Sequence, residues 1–528
     1  MKIIYTTILF LSFNSLFLSA NFKEQEVLNN LSIKQGKERI DYLNQVAKEL
    51  REEDPNSART YINEALQLSR KLAYYQGEGQ ALLNLGVTES VLGNNSDAEK
   101  TFNTALLLYK KNTDKQGIIR ANISLGHIQT IQGNYKNALI NLTLALRMSK
   151  ENSFEEEVAL SSMGLGQLYE IMNEHNKAIE YLSYTVKIMK NLNNKKDIVK
   201  SLNSIGNIYI NLKKYDKSLA TYFDALAYID TIDNKSLLET IYNNIGLVYS
   251  EQGQHYNAVN YFQKSLIISS KIQDSSSIAV TYLNIGNEYS KVFENEKSID
   301  YLNKSIEIFK MIDTPNDLAD AYLARGCFNK NKNAFVMAQS DLLKALEIYK
   351  TLDLMNDQRD AYCLLSELYI QTNKVSQAIQ AFNKYKSINE NLITADKSKS
   401  LEITNDKISA LMEIEKLDSA LNLEKEKFNK LLIIILSILI LTVMVSLIFI
   451  IRKRMIKKEL QLNLFKVNSE NLHVSFATVV KDKMYLLGNS ILESKDSDNY
   501  RLLKSSYDDV SHVITDVLVK YKIDFNSN

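Results

Sequence analysis

The sequence predicts an all-α chain: a solenoid of two-helix repeats followed by one apolar span. Three observations predict it. The chain includes only 2 Pro and 16 Gly among its 528 residues, too few turn formers for a multi-strand sandwich or barrel. Gly86, Gly126, Gly166, Gly206, Gly246, Gly286 and Gly326 recur at one constant spacing without an insertion. The run Leu431 to Ile451 carries no charge and no Gly, and at about 1.5 Å per residue a helix of that length crosses a bilayer core of about 30 Å.

Composition narrows the function classes. Sixty-three basic residues against 62 acidic ones leave a formal net charge of +1, so no global field draws nucleic acid or an acidic substrate to the chain, and no direct nucleic-acid partner is expected. Two cysteines, Cys327 and Cys363, exclude a disulfide framework and a Cys-rich zinc site.

At the N-terminus Lys2 precedes the apolar run Ile3 to Leu18, then Ser19 and Ala20. That is the layout of a secretory signal peptide over 1–20, and 21–38 is expected to form a capping helix before the first repeat. Twelve residues after each periodic glycine stands a small residue: Ala98, Ala138, Ala178, Ser218, Ala258, Ser298 and Ala338. One further period each way finds Val46 with Ala58 and Ser366 with Ala378, so nine repeats cover 39–398. Each holds two amphipathic helices, such as Ala81 to Leu92 and Asp97 to Lys111, joined by a turn that often carries Gly, as at Gly93, Gly133 and Gly253.

These residues resemble the tetratricopeptide repeat. Leu85-Gly86, Ala98, Phe102 and Ala105 fit its signature, and Tyr169, Tyr209, Tyr249, Tyr289 and Tyr369 fill its tyrosine position. The repeat is about 40 residues long, against about 34 in the usual form of the family, and the Pro at the repeat end is missing. Longer helices or longer loops must absorb the difference. The resemblance implies a right-handed superhelix whose concave surface is formed by first helices and receives a protein or peptide. It places Lys200, Asn203, Asn207, Asn211, Asn243, Asn244, Asn284 and Asn287 on that surface. Asn carries both a donor and an acceptor, so a ladder of them can pair with the backbone of an extended ligand. Asn is also common throughout the chain, and a solvated helix face needs no ligand. Of the residues that relatives use to clamp a terminal carboxylate, Asn207 and Asn244 alone stand in register, which implies that this chain does not bind in that way.

Catalytic constellations are missing from the sequence, so the chain reads as a non-enzyme with no cofactor and no metal. His127, His175, His255, His473 and His512 stand apart from one another and from Cys, each reading as a lone solvated side chain. No Walker loop, G-x-S-x-G elbow or G-x-G-x-x-G occurs. The acidic residues read as the solvated faces of helices. Cys327 and Cys363 fall on adjacent first helices facing one groove, where a bond needs near-ideal facing and a pair of free thiols is the alternative.

Residues 399–430 are charged, with Leu401, Ile408, Leu411, Ile414, Leu417 and Leu421 at three-, four- and seven-residue spacings. Either a coiled-coil stalk that pairs two copies or a single helix capping the last repeat fits them. After the span 431–451 come Arg452, Lys453, Arg454, Lys457 and Lys458, so the positive-inside bias puts the helical tail 452–528 in the cytoplasm and the repeats outside. In the tail, Ala477 to Ile491 and Val510 to Val519 show helical spacing around a polar break at Ser494 to Asn499. The architecture resembles bacterial one-span sensors that lack an output module here. Two functions are expected to compete: a membrane-anchored extracytoplasmic scaffold for a protein or peptide, or a one-span receptor relaying occupancy to a cytoplasmic protein.

Overall fold

The computed structural model describes residues 27–51, 54–229, 234–462, 479–480, 482–486, 489 and 497–520. The expected signal peptide lies outside the described residues, as does His473. Among the described residues every regular element is a helix. A short helix over 27–33 is followed by nine helix pairs, from Gly36–Leu50 with Pro55–Lys71 to Met355–Gln371 with the helix that begins at Val375. The first pair starts at Gly36, so the expected capping segment 21–38 overlaps the first repeat.

The period resolves into two halves. Most helices are 17 residues long, as in Tyr75–Val91 and Asn95–Lys111, and three residues connect each to the next. The middle connecting residue is left-handed in one half-repeat after another: Ala73, Gly93, Thr113, Gly133, Ser153, Asn173, Asn193 and Lys213, then Gly253 through Asn373. After it the next amide reaches back five residues, as in Lys214 N to the Tyr209 carbonyl at 2.8 Å. This closes the helix and satisfies its last carbonyls. Asp or Asn caps open many of the helices: Asp114 accepts from the Gly117 amide at 2.9 Å and Asn234 from the Leu237 amide at 2.9 Å. Both prolines, Pro55 and Pro315, occupy a first helical position, where the missing N–H costs nothing. Longer helices therefore absorb the extra residues of each repeat, while the loops stay short.

The periodic glycines mark the closest approach within a repeat. A Cβ on Gly86 would lie 2.3 Å from the Phe102 ring and one on Gly206 2.5 Å from the Tyr222 ring, so a large side chain from the second helix lies flat on the first. The small residues that follow are all fully buried, and the two serines among them explain why Ala and Ser interchange. Ser218 Oγ donates to the Gly206 carbonyl at 2.9 Å and Ser298 Oγ to the Gly286 carbonyl at 2.8 Å. In the ninth repeat Ser366 replaces the glycine, and Phe382, the residue that covers it elsewhere, is 52% exposed where the solenoid ends.

The second helix of the ninth repeat does not stop at 398. Val375–Leu462 is one helix of 88 residues, running through the expected stalk and apolar stretch without a break. It is long and apolar enough to cross a membrane by length and composition, with a mean hydropathy of 3.2 over its most apolar window. The chain divides into two compact units at Glu413/Ile414. In the second unit the helix Ser497–Lys520 begins inside the expected polar break, and Tyr507 donates from its hydroxyl to the Met484 carbonyl at 3.1 Å.

Candidate functional site

The first helices of the fifth, sixth and seventh repeats are Lys195–Asn211, Lys235–Glu251 and Ser275–Lys291. Their Ile and Gly residues at Ile205, Gly206, Ile245, Gly246, Ile285 and Gly286 are buried, which leaves a neighbouring, half-buried face on each helix. That face carries the asparagines. Asn244 Nδ2 donates to Asn203 Oδ1 at 2.9 Å and to Asn207 Oδ1 at 3.3 Å, and Asn284 Nδ2 donates to Asn243 Oδ1 at 3.1 Å. Tyr222 adds its hydroxyl to Asn207 Oδ1 at 2.5 Å. Five of the residues singled out by sequence thus form two amide groups, Asn203, Asn207 and Asn244 between the fifth and sixth repeats and Asn243 with Asn284 between the sixth and seventh, together a ladder whose members are all half-buried.

Pairing uses part of each amide. Asn203, Asn207 and Asn243 accept through Oδ1, which leaves their Nδ2 groups to donate; Asn244 and Asn284 donate, which leaves their Oδ1 atoms to accept. Half-buried Asn287 and exposed Asn211 lie on the same helices and join no amide pair. Lys200 lies elsewhere on the face, close enough to His127 of the third repeat for its charge to act on that ring.

His127, expected to be solvated, and Glu170, which the sequence did not single out, lie on the first helices of the preceding repeats. His127 is half-buried, and burial first, then the Lys200 charge, pushes its pKa below the ordinary histidine value. Its ring comes within 3.4 Å of where a Cβ on Gly164 would stand. Glu170 is half-buried and burial raises its carboxyl. The repeat register places them on the first helices of the third and fourth repeats.

The solvated reading of the histidines and acids is corrected in part. His255 Nδ1 sits 2.7 Å from Glu288 Oε2, and Glu288, 2% exposed, also takes Ser250 Oγ and Lys291 Nζ at 2.7 Å each. Burial alone would raise the Glu288 carboxyl; hydrogen bonds from Lys291, Ser250 and His255 outweigh it and hold the pKa below the usual range. Buried Glu157 accepts from Arg120 Nε at 2.8 Å and from Gln116 Nε2 at 2.7 Å, and buried Asp341 takes both arms of the Arg325 guanidinium at 2.8 Å. A neighbouring helix supplies the cation of Glu157 and of Asp341, whereas Lys291 stands on the same helix as Glu288. His512 is exposed.

Cys327 and Cys363 are free, both half-buried, and burial raises both thiols. Among the described residues no group of three His, Cys, Asp or Glu side chains could hold a metal ion.

The asparagine groups lie on the first helices of a helical-repeat array, and comparison with known proteins gives the class of the fold. Residues 237–311 match one family model of the tetratricopeptide repeat, and residues 199–228 and 360–392 match a second. The fold is a tetratricopeptide-like helical solenoid. The apo form of RapI is similar over 67% of this chain and 98% of its own, with 13% identity and a TM-score of 0.53. The apo form of the quorum sensor NprR from B. thuringiensis is similar over 67% of this chain and 99% of its own, at 16% identity and a TM-score of 0.49. The Rap conjugation gene regulator of the plasmid pLS20, in complex with the Phr* peptide, covers 66% of this chain and 95% of its own, at 16% identity and a TM-score of 0.40. No curated protein matches the chain in sequence.

Proposed function

We propose that the chain is a membrane-anchored, extracytoplasmic scaffold whose first-helix groove binds an extended segment of a protein or peptide. The amide ladder carries this reading. Its internal hydrogen bonds tie Asn244 to Asn203 and Asn207 and tie Asn284 to Asn243, while three amide donors and two carbonyl acceptors keep spare capacity. An extended backbone presents alternating N–H and C=O groups, which such a ladder can pair without demanding particular side chains. Exposed Leu247 and half-buried Asn287 on the same helices add an apolar and a further polar contact.

The apolar stretch 431–451 and the basic cluster after it support the anchor and its orientation. A second reading, a one-span receptor, is favoured by one observation: the ninth repeat and the apolar stretch share the unbroken helix Val375–Leu462. A shift at the repeats would then have one continuous helix along which to be passed on.

A photo-crosslinking residue at Asn287, in full-length protein in its native membranes, tests the binding reading. Asn287 should trap a discrete partner that the same residue at outward-facing Leu107, 68% exposed, does not. Equal trapping at both positions, or none at Asn287, would remove the groove as the binding site.

A further inference from the structure

After the ninth repeat the long helix returns to the first half of the solenoid. Lys407 pairs with Glu174, and Glu413 Oε2 lies 3.0 Å from Lys136 Nζ. Glu174 is the N-cap of the second helix of the fourth repeat, and Lys136 stands in the first turn of the second helix of the third. Both partners of the long helix, the acceptor Glu174 and the donor Lys136, therefore lie at the turn between first and second helices, on neighbouring repeats. Glu174 also holds Lys177 at 3.1 Å, which fixes its carboxylate toward the rim.

Glu413 follows Lys407 by six positions, about 9 Å along the helix at 1.5 Å per residue. Somewhat more than one and a half turns of the long helix thus step from the fourth repeat to the third, where Glu174 and Lys136 open the second helices. Between the two ion pairs stands Ala410, fully buried, with Ile403, Asp406 and Lys407 half-buried along the same face. Leu401, Ile408, Leu411 and Met412 around them are 63%, 47%, 46% and 59% exposed. The burial of Ala410 between the two ion pairs marks the covered side of the helix. The coiled-coil stripe expected from the sequence is thus exposed over this stretch, and a different stripe of the helix is covered.

We propose that residues 403–413 form an intramolecular latch that docks on the rim of the third and fourth repeats and ties the end of the solenoid back to its first half. The latch is built to release. Its ion pairs are half-exposed, with side-chain exposures of 26% and 26% for Lys407 and Glu174 and of 35% and 49% for Lys136 and Glu413. Pairs of that kind are weak and screened by salt, and one buried methyl group adds little apolar area. Docking nevertheless fixes the distance between the ninth repeat and the third and fourth. Any change in the curvature of the intervening repeats is then coupled to release of the latch, and release frees the helix that continues toward 431–451. This holds whatever the groove binds, so the latch and the groove reading stand or fall separately.

Zero-length carbodiimide coupling of full-length protein in detergent tests the latch, because it joins only amines and carboxylates already in contact. At low salt the Lys407–Glu174 and Lys136–Glu413 links should both appear by peptide mass spectrometry in the monomer band. Raising salt to about 0.5 M, where the Debye length drops well below 10 Å, should reduce both relative to the internal Lys330–Glu367 link, whose lysine is buried. Glu413→Lys sets two lysines face to face and should lower the Lys407–Glu174 link about fivefold. Adding Lys136→Glu restores the opposite charges and should return that link to the wild-type yield. The proposal is overturned if the links are absent at low salt, if mixed light and heavy copies show them only between chains, or if Glu413→Lys leaves the Lys407–Glu174 yield unchanged.

Discussion

Asn244 and Asn203, 41 residues apart on neighbouring first helices, share a hydrogen bond of 2.9 Å through their side-chain amides. The pair is repeated one repeat later by Asn284 and Asn243 at 3.1 Å. The ladder is therefore a structural seam as well as a candidate ligand surface. Asn244→Ala removes both bonds that its amide donates and should destabilise the chain by about 1 kcal/mol, read as a lower urea midpoint at constant slope. An unchanged midpoint would mean that water replaces the amide without loss.

Gly206→Ala should cost more. Its Cβ would come 2.5 Å from the Tyr222 ring, and moving that ring also breaks the hydroxyl bond to Asn207. Overpacking of this kind costs roughly 1–3 kcal/mol. A leucine partner would not relieve it, since a Cβ on Gly166 would likewise lie 2.6 Å from Leu182. An unchanged melting temperature would show that the Tyr222 ring moves aside without loss.

Left-handed turn residues give a prediction of the opposite sign. Ala73 is exposed at φ 50°, where an L residue is strained by about 1–2 kcal/mol and Gly is not. After the entropic cost of Gly, Ala73→Gly should stabilise by roughly 0.5–1 kcal/mol. Gly253→Ala, at φ 73° with open space around it, should destabilise by about 1 kcal/mol. Thermal melting of the two variants checks both signs.

Acid should weaken the fold through two named groups. Glu288 has a folded pKa below its ordinary 4.5, so its contribution is complete above that value and is lost as pH falls through the folded pKa. His127, also depressed from 6.5, disfavours folding once the pH falls below 6.5, where the unfolded ring takes up the proton more readily. Glu239, raised by burial, acts in the opposite direction. Stability measured from pH 7 to pH 3 should fall, and Glu288→Gln should flatten the lower part of that curve. A slope unchanged by Glu288→Gln would assign the acid sensitivity to other groups.

Much of the fold could be read in advance because close packing leaves a composition trace. Gly86 and Ala98 are small for a steric reason that recurs in repeat after repeat, so their register shows in the letters. The half period did not show, because Lys213, Phe293 and Asp313 occupy the same left-handed position as Gly93, and residue type alone does not report φ. The asparagine face was legible from register, yet its pairing was not: partners at 37 and 41 residues become visible only when neighbouring helices are in place. Contacts of Lys407 with Glu174, 233 residues away, leave no local pattern at all. Burial of Glu288 and Glu157 was hidden for a similar reason, since their partners are set by how neighbouring helices pack.

Orientation is open to a direct check. Reporter fusions after Ser400 should behave as exported and fusions after Leu460 as cytoplasmic, given the basic residues that follow Ile451. The reverse pattern would move the groove to the cytoplasm and remove the extracytoplasmic scaffold reading.

The central claim is that the amide ladder of the groove binds an extended peptide, and affinity measured on the ladder itself tests it most directly. Peptides selected from a random library against the full-length protein in detergent would be labelled and titrated by fluorescence anisotropy. Binding to wild type would be compared with the Asn203→Ala, Asn207→Ala, Asn243→Ala, Asn244→Ala quadruple variant, with helicity followed in parallel. Retained helicity with an affinity lower by about tenfold or more, the loss of roughly 1.4 kcal/mol, is the expected result. Equal affinity for both proteins would contradict the account and leave the ladder a structural seam alone.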